Sequence, residues 1–211
     1  MWVNPSILRI FFPWILWKGD PKKKTVFLTF DDGPHPQHTL KLLDILKTEK
    51  ILATFFLTGK NALQYPGLVE SIAREGHDIG NHGFSHARMD FRNMQWIRSE
   101  IEKTNHIIFS ITGKPPLFFR PPYGRFDLRF HKLMKETNQT LVLWSLLTGD
   151  FEESLSQCLI ERVQKHLHPG AILVFHDGHP NAPVMLEAFE KIVTLIRKLD
   201  FSFQKLSEIV H

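Results

Sequence analysis

Two adjacent carboxylates, Asp31 and Asp32, close an apolar run in Thr29-Phe30-Asp31-Asp32-Gly33-Pro34, and His82 and His86 stand four apart further along, in Gly80-Asn81-His82-Gly83-Phe84-Ser85-His86. One carboxylate and two imidazoles can hold a divalent ion. Three protein ligands leave a position open for water, whose pKa can fall from 15.7 to about 7 once it is bound. The second carboxylate is then free to take that water's proton. Each motif alone also has an ordinary reading. Asp-Asp-Gly-Pro is common turn chemistry at a strand end, and in a chain with 12 histidines a four-residue spacing arises easily by chance.

What strengthens the chemical reading is that further polar groups recur where strands should end. Arg120 follows Phe119 and precedes Pro121-Pro122-Tyr123-Gly124. The two prolines fix φ, so the Arg side chain and the Tyr123 backbone N–H are held rigidly, as preorganised electrostatics require. His176 ends the apolar run Ala171-Ile172-Leu173-Val174-Phe175. Beside a metal it is a candidate general acid, because its ordinary pKa near 6.5 lies close to working pH. Asp150 trails another apolar run, and the ring of Trp144 offers either a face for a sugar or plain core burial. His35 and His38 are read as first-turn surface residues, His77 and His179 as structural, and Asp177-Gly178 as a turn.

The elements that must position these groups alternate. Strand candidates run over 26–30, 54–57, 78–81, 117–119, 141–144, 172–175 and 201–203. Helical candidates cover 38–48, 67–75, 92–112, 126–136, 155–168 and 182–199. Alternation of this kind predicts βα units around a parallel sheet. Ile97, Ile101, Ile108 and Ile111 recur at helical spacing and mark a buried stripe. Seven units closing on themselves make a TIM-like α/β barrel, and in barrels and open sheets alike chemistry collects beyond the C-terminal strand ends. Asp31, Asp32, His82, His86, Arg120, Asp150 and His176 all fall there.

A chain of 211 residues, 43% hydrophobic and 23% charged, can bury a full core as one domain. It shows no repeat and no low-complexity tract. The single Cys158 has no intrachain partner and is read as a packing thiol. A net charge of +4 with one short basic run, Lys22 to Lys24, does not call for nucleic acid. Residues 1–24 form an apolar N-terminal extension and 25–211 the domain. The stretch from Ile7 to Trp17 is too short to span a bilayer and lacks the basic leader and small-residue cleavage site of a signal peptide. It is expected to pack over one end of the domain, with peripheral membrane contact through residues 2–17 as the competing reading. A cytoplasmic location, at or near the inner membrane surface, is the corresponding expectation. Oligomeric state is not legible.

Taken together these motifs resemble the polysaccharide deacetylase family, carbohydrate esterase family 4, also called the NodB homology domain. Five segments occur in the family's order over roughly residues 25 to 205: Thr29 to Pro34, His82 to His86, Arg120 to Tyr123, Trp144-Ser145 with Asp150, and Val174-Phe175-His176. The resemblance implies a distorted (β/α) barrel of about seven strands and metal-dependent removal of N- or O-acetyl groups from a polysaccharide, oligosaccharide or lipid-linked sugar. It makes Asp32, His82 and His86 the ligands of one divalent ion, zinc before cobalt, nickel or iron. It makes Asp31 the base on the metal-bound water and His176 the acid, with the Tyr123 N–H at the oxyanion. Arg120 would pair with Asp31, and Asp150 would orient His176 and raise its pKa. Pro122, Tyr123 and Trp144 would meet the substrate. The chain departs from the family pattern at Leu147, Phe151 and Val174, which are expected to alter the wall of the sugar and acetate pocket.

Three other functions fit parts of the same sequence. A carbohydrate-binding protein without chemistry needs the pocket but not a paired acid and base. A hydrolase of a cyclic amide or imide would use the same groups on another C–N bond. A phosphoacceptor at Asp31 or Asp32 leaves His82, His86 and His176 without a task.

Overall fold

The structure is a computed structural model that describes residues 6–152 and 155–209. Eight strands, all paired in parallel, run as β1 Thr25–Asp31, β2 Thr54–Leu57, β3 Asp78–Asn81, β4 Phe118–Phe119, β5 Thr140–Leu141, β6 Leu146–Leu147, β7 Ile172–His176 and β8 Ser202–Gln204. The sheet order is β5-β4-β3-β2-β1-β7-β6, with β8 paired to the start of β1. All seven residues of β1 are buried, as expected of a strand covered on both faces. Because every pairing is parallel, the C-terminal ends share one rim. Register sets Asp31 directly opposite His176 on the neighbouring strand.

The expected fifth strand is broken in two. The segment from Thr140 pairs first with β4, and after Trp144-Ser145 it moves across to pair with β7. The barrel is therefore distorted and opens between β5 and β6. Part of that opening is filled from the N-terminus. The Leu16 N–H donates to the Leu141 carbonyl at 2.9 Å and the Leu143 N–H to the Leu16 carbonyl at 2.9 Å, while the Gly19 N–H donates to Gly170 at 2.8 Å. Gly170, at φ 76°, has no room for a side chain, since a Cβ would lie 2.6 Å from the Gly19 carbonyl oxygen. Ile15 and Trp17 are buried with Phe119, Phe130 and Leu141, whereas Ile10 and Phe11 stay exposed. The membrane contact considered for residues 2–17 falls partly on residues 2–5, outside the described residues. No described helix is long and apolar enough to cross a membrane.

The helices are α1 Ser6–Phe11, α2 His38–Thr48, α3 Gly59–Gln64, α4 Pro66–Arg74, α5 Met94–Thr112, α6 Arg129–Thr137, α7 Ser156–His166 and α8 Ala182–Lys198. α1 and α3 were not expected. α3 is short, with Thr58 accepting the Asn61 N–H at its start, and Pro66 opens a new helix immediately after it. α5 begins two residues later than expected because Asn93 caps it, and it ends on Gly113 in the left-handed region at φ 70°. α6 begins at Arg129 rather than Phe126, with the Asp127 carboxylate accepting the Arg129 N–H. Ile97, Ile101 and Ile108 are buried on α5, as the stripe predicts. Phe27, Phe56, Phe118, Val142, Ile172 and Leu206 form one apolar cluster, and a larger cluster packs the outside of β1, β2 and β7 against α2, α4 and α8.

Candidate functional site

Asp31 is the last residue of β1, and Asp32 follows it at φ 73°, a left-handed backbone that a short polar side chain tolerates better than most. His82 follows β3, and His86, at φ 59°, ends the next turn. One ligand atom each from Asp32, His82 and His86 lies within 4.8 Å of the other two. His82 Nδ1 lies 2.7 Å from the Arg120 carbonyl oxygen, so it carries the proton and leaves Nε2 with a free lone pair. That Nε2 is 3.4 Å from Asp32 Oδ1, and His86 Nε2 is 2.9 Å from the same oxygen. Asp32 Oδ1 is buried without a hydrogen bond of good geometry. An orphaned carboxylate oxygen facing an imidazole lone pair is satisfied by a cation, so these residues fit a divalent ion.

Asp31 is divided between two partners. Its Oδ1 accepts from Arg120 Nη1 at 2.7 Å, and its Oδ2 faces His82 Nε2 at 3.9 Å. Arg120 is fully buried, bonds Thr29 Oγ1 at 2.8 Å, and lies 4.0 Å over the Phe56 ring. Burial lowers the guanidinium pKa and Asp31 opposes that. The salt bridge leaves one Asp31 oxygen on the side of the ligand set.

His176 is oriented twice by Asp150. Asp150 Oδ1 lies 2.9 Å from His176 Nδ1, and Oδ2 accepts the His176 backbone N–H at 2.6 Å. Thr148 Oγ1 donates to Asp150 Oδ1 at 3.1 Å. Burial by itself would depress the His176 pKa. The charge and hydrogen bond of Asp150, with Asp32 and Asp31 beyond, outweigh it and raise the pKa to about 9. With Nδ1 engaged, Nε2 is the nitrogen left for the cleft. Gly178 lets this wall approach closely, since a Cβ there would sit 2.3 Å from the Asp32 carbonyl oxygen.

These groups share a cleft of about 550 Å³ whose lining includes Asp31, Asp32, His82, His86 and His176. Tyr123 and Trp144 also line it. Tyr123 is 60% exposed, sits at φ 60°, a strained conformation for an aromatic residue, and its ring lies 4.8 Å from that of His86. Pro121 lines the cleft, whereas Pro122 is buried beside Gly83. Arg120 and Asp150 stand behind Asp31 and His176 rather than on the surface. Of the three departures from the family pattern, Leu147 and Phe151 line the cleft, but Val174 does not: it is fully buried, two residues before His176 on the same face of β7 as Ile172, beneath the cleft floor.

Two positioning residues escaped the sequence analysis. Glu100, buried on α5, accepts with a single oxygen, Oε2, from Phe84 N–H at 3.2 Å, Ser85 N–H at 2.8 Å and Ser85 Oγ at 2.8 Å. It clamps the loop between the two candidate ligands His82 and His86. Asn81 Oδ1 accepts the Gly83 N–H at 2.7 Å on the same loop. The available signal was a charged residue within the buried stripe of α5, between Ile97 and Ile101. His35 and His38 stack on each other at 3.9 Å and do not line the cleft.

The chain is similar to known proteins over most of its length. The family model described as polysaccharide deacetylase matches residues 18–142. A peptidoglycan-N-acetylglucosamine deacetylase of Bacillus cereus is 37% identical over 194 residues, spanning 88% of this chain and 70% of the relative. The peptidoglycan-N-acetylmuramic acid deacetylase PdaA of Bacillus subtilis is 32% identical over 197 residues, spanning 91% and 73%. A crystal structure of a peptidoglycan N-acetylglucosamine deacetylase, in complex with 4-naphthalen-1-yl-N-oxidanyl-benzamide, superposes with a TM-score of 0.92 at 33% identity. That superposition covers 98% of this chain and 96% of the other.

Proposed function

The chain belongs to the polysaccharide deacetylase family, and we propose that it hydrolyses the acetamide of an N-acetylated amino sugar in a peptidoglycan-type glycan, yielding a free amine and acetate. Asp32, His82 and His86 would hold the metal, and two imidazoles with one carboxylate favour zinc over cobalt, nickel or iron. When bound, the ion supplies Lewis-acid polarisation and a water acidic enough to attack at neutral pH.

The remaining work falls to side chains and one backbone group. Asp31, with Oδ1 tied to Arg120, takes the proton of the attacking water on Oδ2. The Tyr123 N–H donates to the oxyanion that develops at the acetyl carbon, a contribution of about 2.7–4 kcal/mol for one such donor. His176 keeps a proton on Nε2 and delivers it to the sugar nitrogen as the C–N bond breaks. Trp144 supplies a face for the sugar. An amide nitrogen is a far poorer leaving group than an ester oxygen unless it is protonated. An imidazole held protonated to about pH 9 therefore suits N- over O-deacetylation.

The observation that carries this reading is the pairing across β1 and β7. A carboxylate bound by a guanidinium stands opposite an imidazole bound by a carboxylate, beside one metal-ligand set. The test is acetate release from N-acetylglucosamine oligomers and from peptidoglycan, abolished by a chelator and restored by zinc. Asp31→Asn should lower kcat about 10²–10⁴-fold while zinc content by elemental analysis stays at the wild-type level. Wild-type turnover in that variant would remove Asp31 as the base. A wild-type protein that binds zinc and releases no acetate from either substrate would remove the substrate assignment.

A further inference from the structure

Four histidines line the cleft, and the proposed reaction gives work to only three: His82, His86 and His176. The fourth, His179, opens the turn into α8. Its carbonyl accepts the Ala182 N–H at 3.0 Å, and its ring Nδ1 accepts the Asn181 N–H at 3.1 Å. An imidazole nitrogen that accepts carries no proton, so the ring hydrogen resides on Nε2. Nδ1 is turned back onto the chain. No acceptor for Nε2 is found among the described residues. The ring therefore brings a neutral N–H donor to the cleft.

The same ring is tied to the proton-delivering wall. Phe151 makes edge contacts with His176 at 5.1 Å and with His179 at 6.5 Å. Asn181 Nδ2 donates at 3.0 Å to the carbonyl of Asp150, the residue that orients His176. The sugar that receives the His176 proton must lie along this wall. Resting on the deacetylase reading, we propose that His179 is a substrate-binding residue, donating its Nε2–H to a hydroxyl oxygen of the sugar whose acetamide is cleaved. A neutral donor matches an uncharged sugar oxygen and does not compete with His176 for the transferred proton.

The alternative is that His179 only caps the turn, and a matched pair of variants separates the two. His179→Asn retains a side-chain oxygen that can accept the residue-181 N–H in an Asx turn, but it withdraws the donor from the cleft. His179→Gln has a longer amide that reaches toward the Nε2 position. With zinc-loaded proteins and tetra-N-acetylchitotetraose, His179→Asn should raise KM about three- to tenfold with kcat within about twofold, the loss expected of one neutral hydrogen bond. The alkaline pH at which kcat/KM falls as His176 loses its proton should not move, and His179→Gln should recover part of the KM.

An unchanged KM, with or without a lower Tm, overturns the proposal, and so does a fall in kcat at constant KM. Calorimetric titration of tetra-N-acetylchitotetraose into zinc-loaded Asp31→Asn and Asp31→Asn/His179→Asn proteins, in which hydrolysis is slow, keeps the test independent of turnover. If the wild type releases no acetate, the deacetylase reading fails. Weaker binding in the double variant would still support the donor, and equal affinities, including none, would sink it.

Discussion

At the cleft, three of the side chains assigned to the chemistry have one face bound by a partner that decides what the other face can do. His82 gives its Nδ1 proton to a carbonyl and keeps an Nε2 lone pair, Asp31 gives one oxygen to Arg120, and His176 gives Nδ1 to Asp150. The third arrangement sets a pH dependence. A histidine raised to about 9 is protonated throughout the neutral range and loses its proton as pH rises through that value. A bound divalent cation works against this charge, so kcat/KM of the zinc-loaded enzyme should fall with a high-pH limb at or below about pH 9. Asp150→Asn, which removes the main raising charge, should move that limb to lower pH, and a limb that stays in place would separate it from His176. A second acid, Asp177, is fully buried beside Gly33, accepts from the Thr39 hydroxyl, and has an unpartnered Oδ1. Burial first, then the charges of Asp32 and Asp31, raise its pKa to about 7 against the hydrogen bond from Thr39. The folded state thus holds a proton that the unfolded chain releases above about pH 3.9. The stability this site contributes is complete below about pH 4 and is lost as pH rises through about 7. In Asp177→Asn that slope should vanish, so the Tm of wild type relative to the variant should fall between pH 5 and pH 8. A constant difference would contradict the shift. The candidate ligands, base and acid were readable in the sequence because their residue types at strand ends carry the chemistry. The depth of Asp177 was not, since an Asp-Gly pair after a strand looks like any solvated turn.

At the scale of elements, parallel pairing explains why residues as distant in sequence as Asp31 and His176 meet. It also explains why a largely apolar run ending in a polar residue is a usable signal for β1 and β7, whereas β3, Asp78-Ile79-Gly80-Asn81, carries no such run. The expected position of α2 holds to the residue, because its apolar period is strong and local. Elements with a weak local pattern or a non-local pairing are not legible in this way. α3 carries only a short period, Gly59-Lys60-Asn61-Ala62, and the break between β5 and β6 depends on which neighbour the chain meets on each side. Glu100 belongs to this scale, because it joins a helix to a loop. One oxygen holding three donors of the 84–85 segment fixes the spacing of His82 and His86. Partners that orient ligands in this way typically account for about 10–100-fold in metal affinity. Glu100→Gln, which exchanges the charged acceptor for a weaker one, should loosen zinc by about tenfold and Glu100→Ala by more, both measured by competition with a chromophoric chelator. Unchanged zinc affinity in the alanine variant would show that the loop holds its shape without the clamp.

For the molecule as a whole, the consequential feature is how the barrel deals with its own opening. A sheet interrupted between β5 and β6 leaves backbone groups of β5 without a strand on one side, and buried groups of that kind must find partners. Leu16 supplies them, bonding Leu141 and Leu143, and Gly19 bonds Gly170 on the far side of the same gap. The apolar stretch that looked like an appendage in the sequence thus has two parts with different physics. Trp17 is 4% exposed, with its indole N–H on the Phe12 carbonyl, whereas Phe11 is 69% exposed. Composition alone treats the two aromatics alike, and only the non-local pairing with β5 separates them. Trp17→Ala should cost about 3–5 kcal/mol through lost burial and the cavity left behind. At roughly 2–4 °C per kcal/mol for a chain of this length, that is a fall in Tm of about 6–20 °C. Phe11→Ala should change stability by no more than about 0.5 kcal/mol. Both are read by thermal unfolding at fixed pH. Equal effects of the two substitutions would mean that the segment does not stand in the barrel opening, and the free side of β5 would then need another partner.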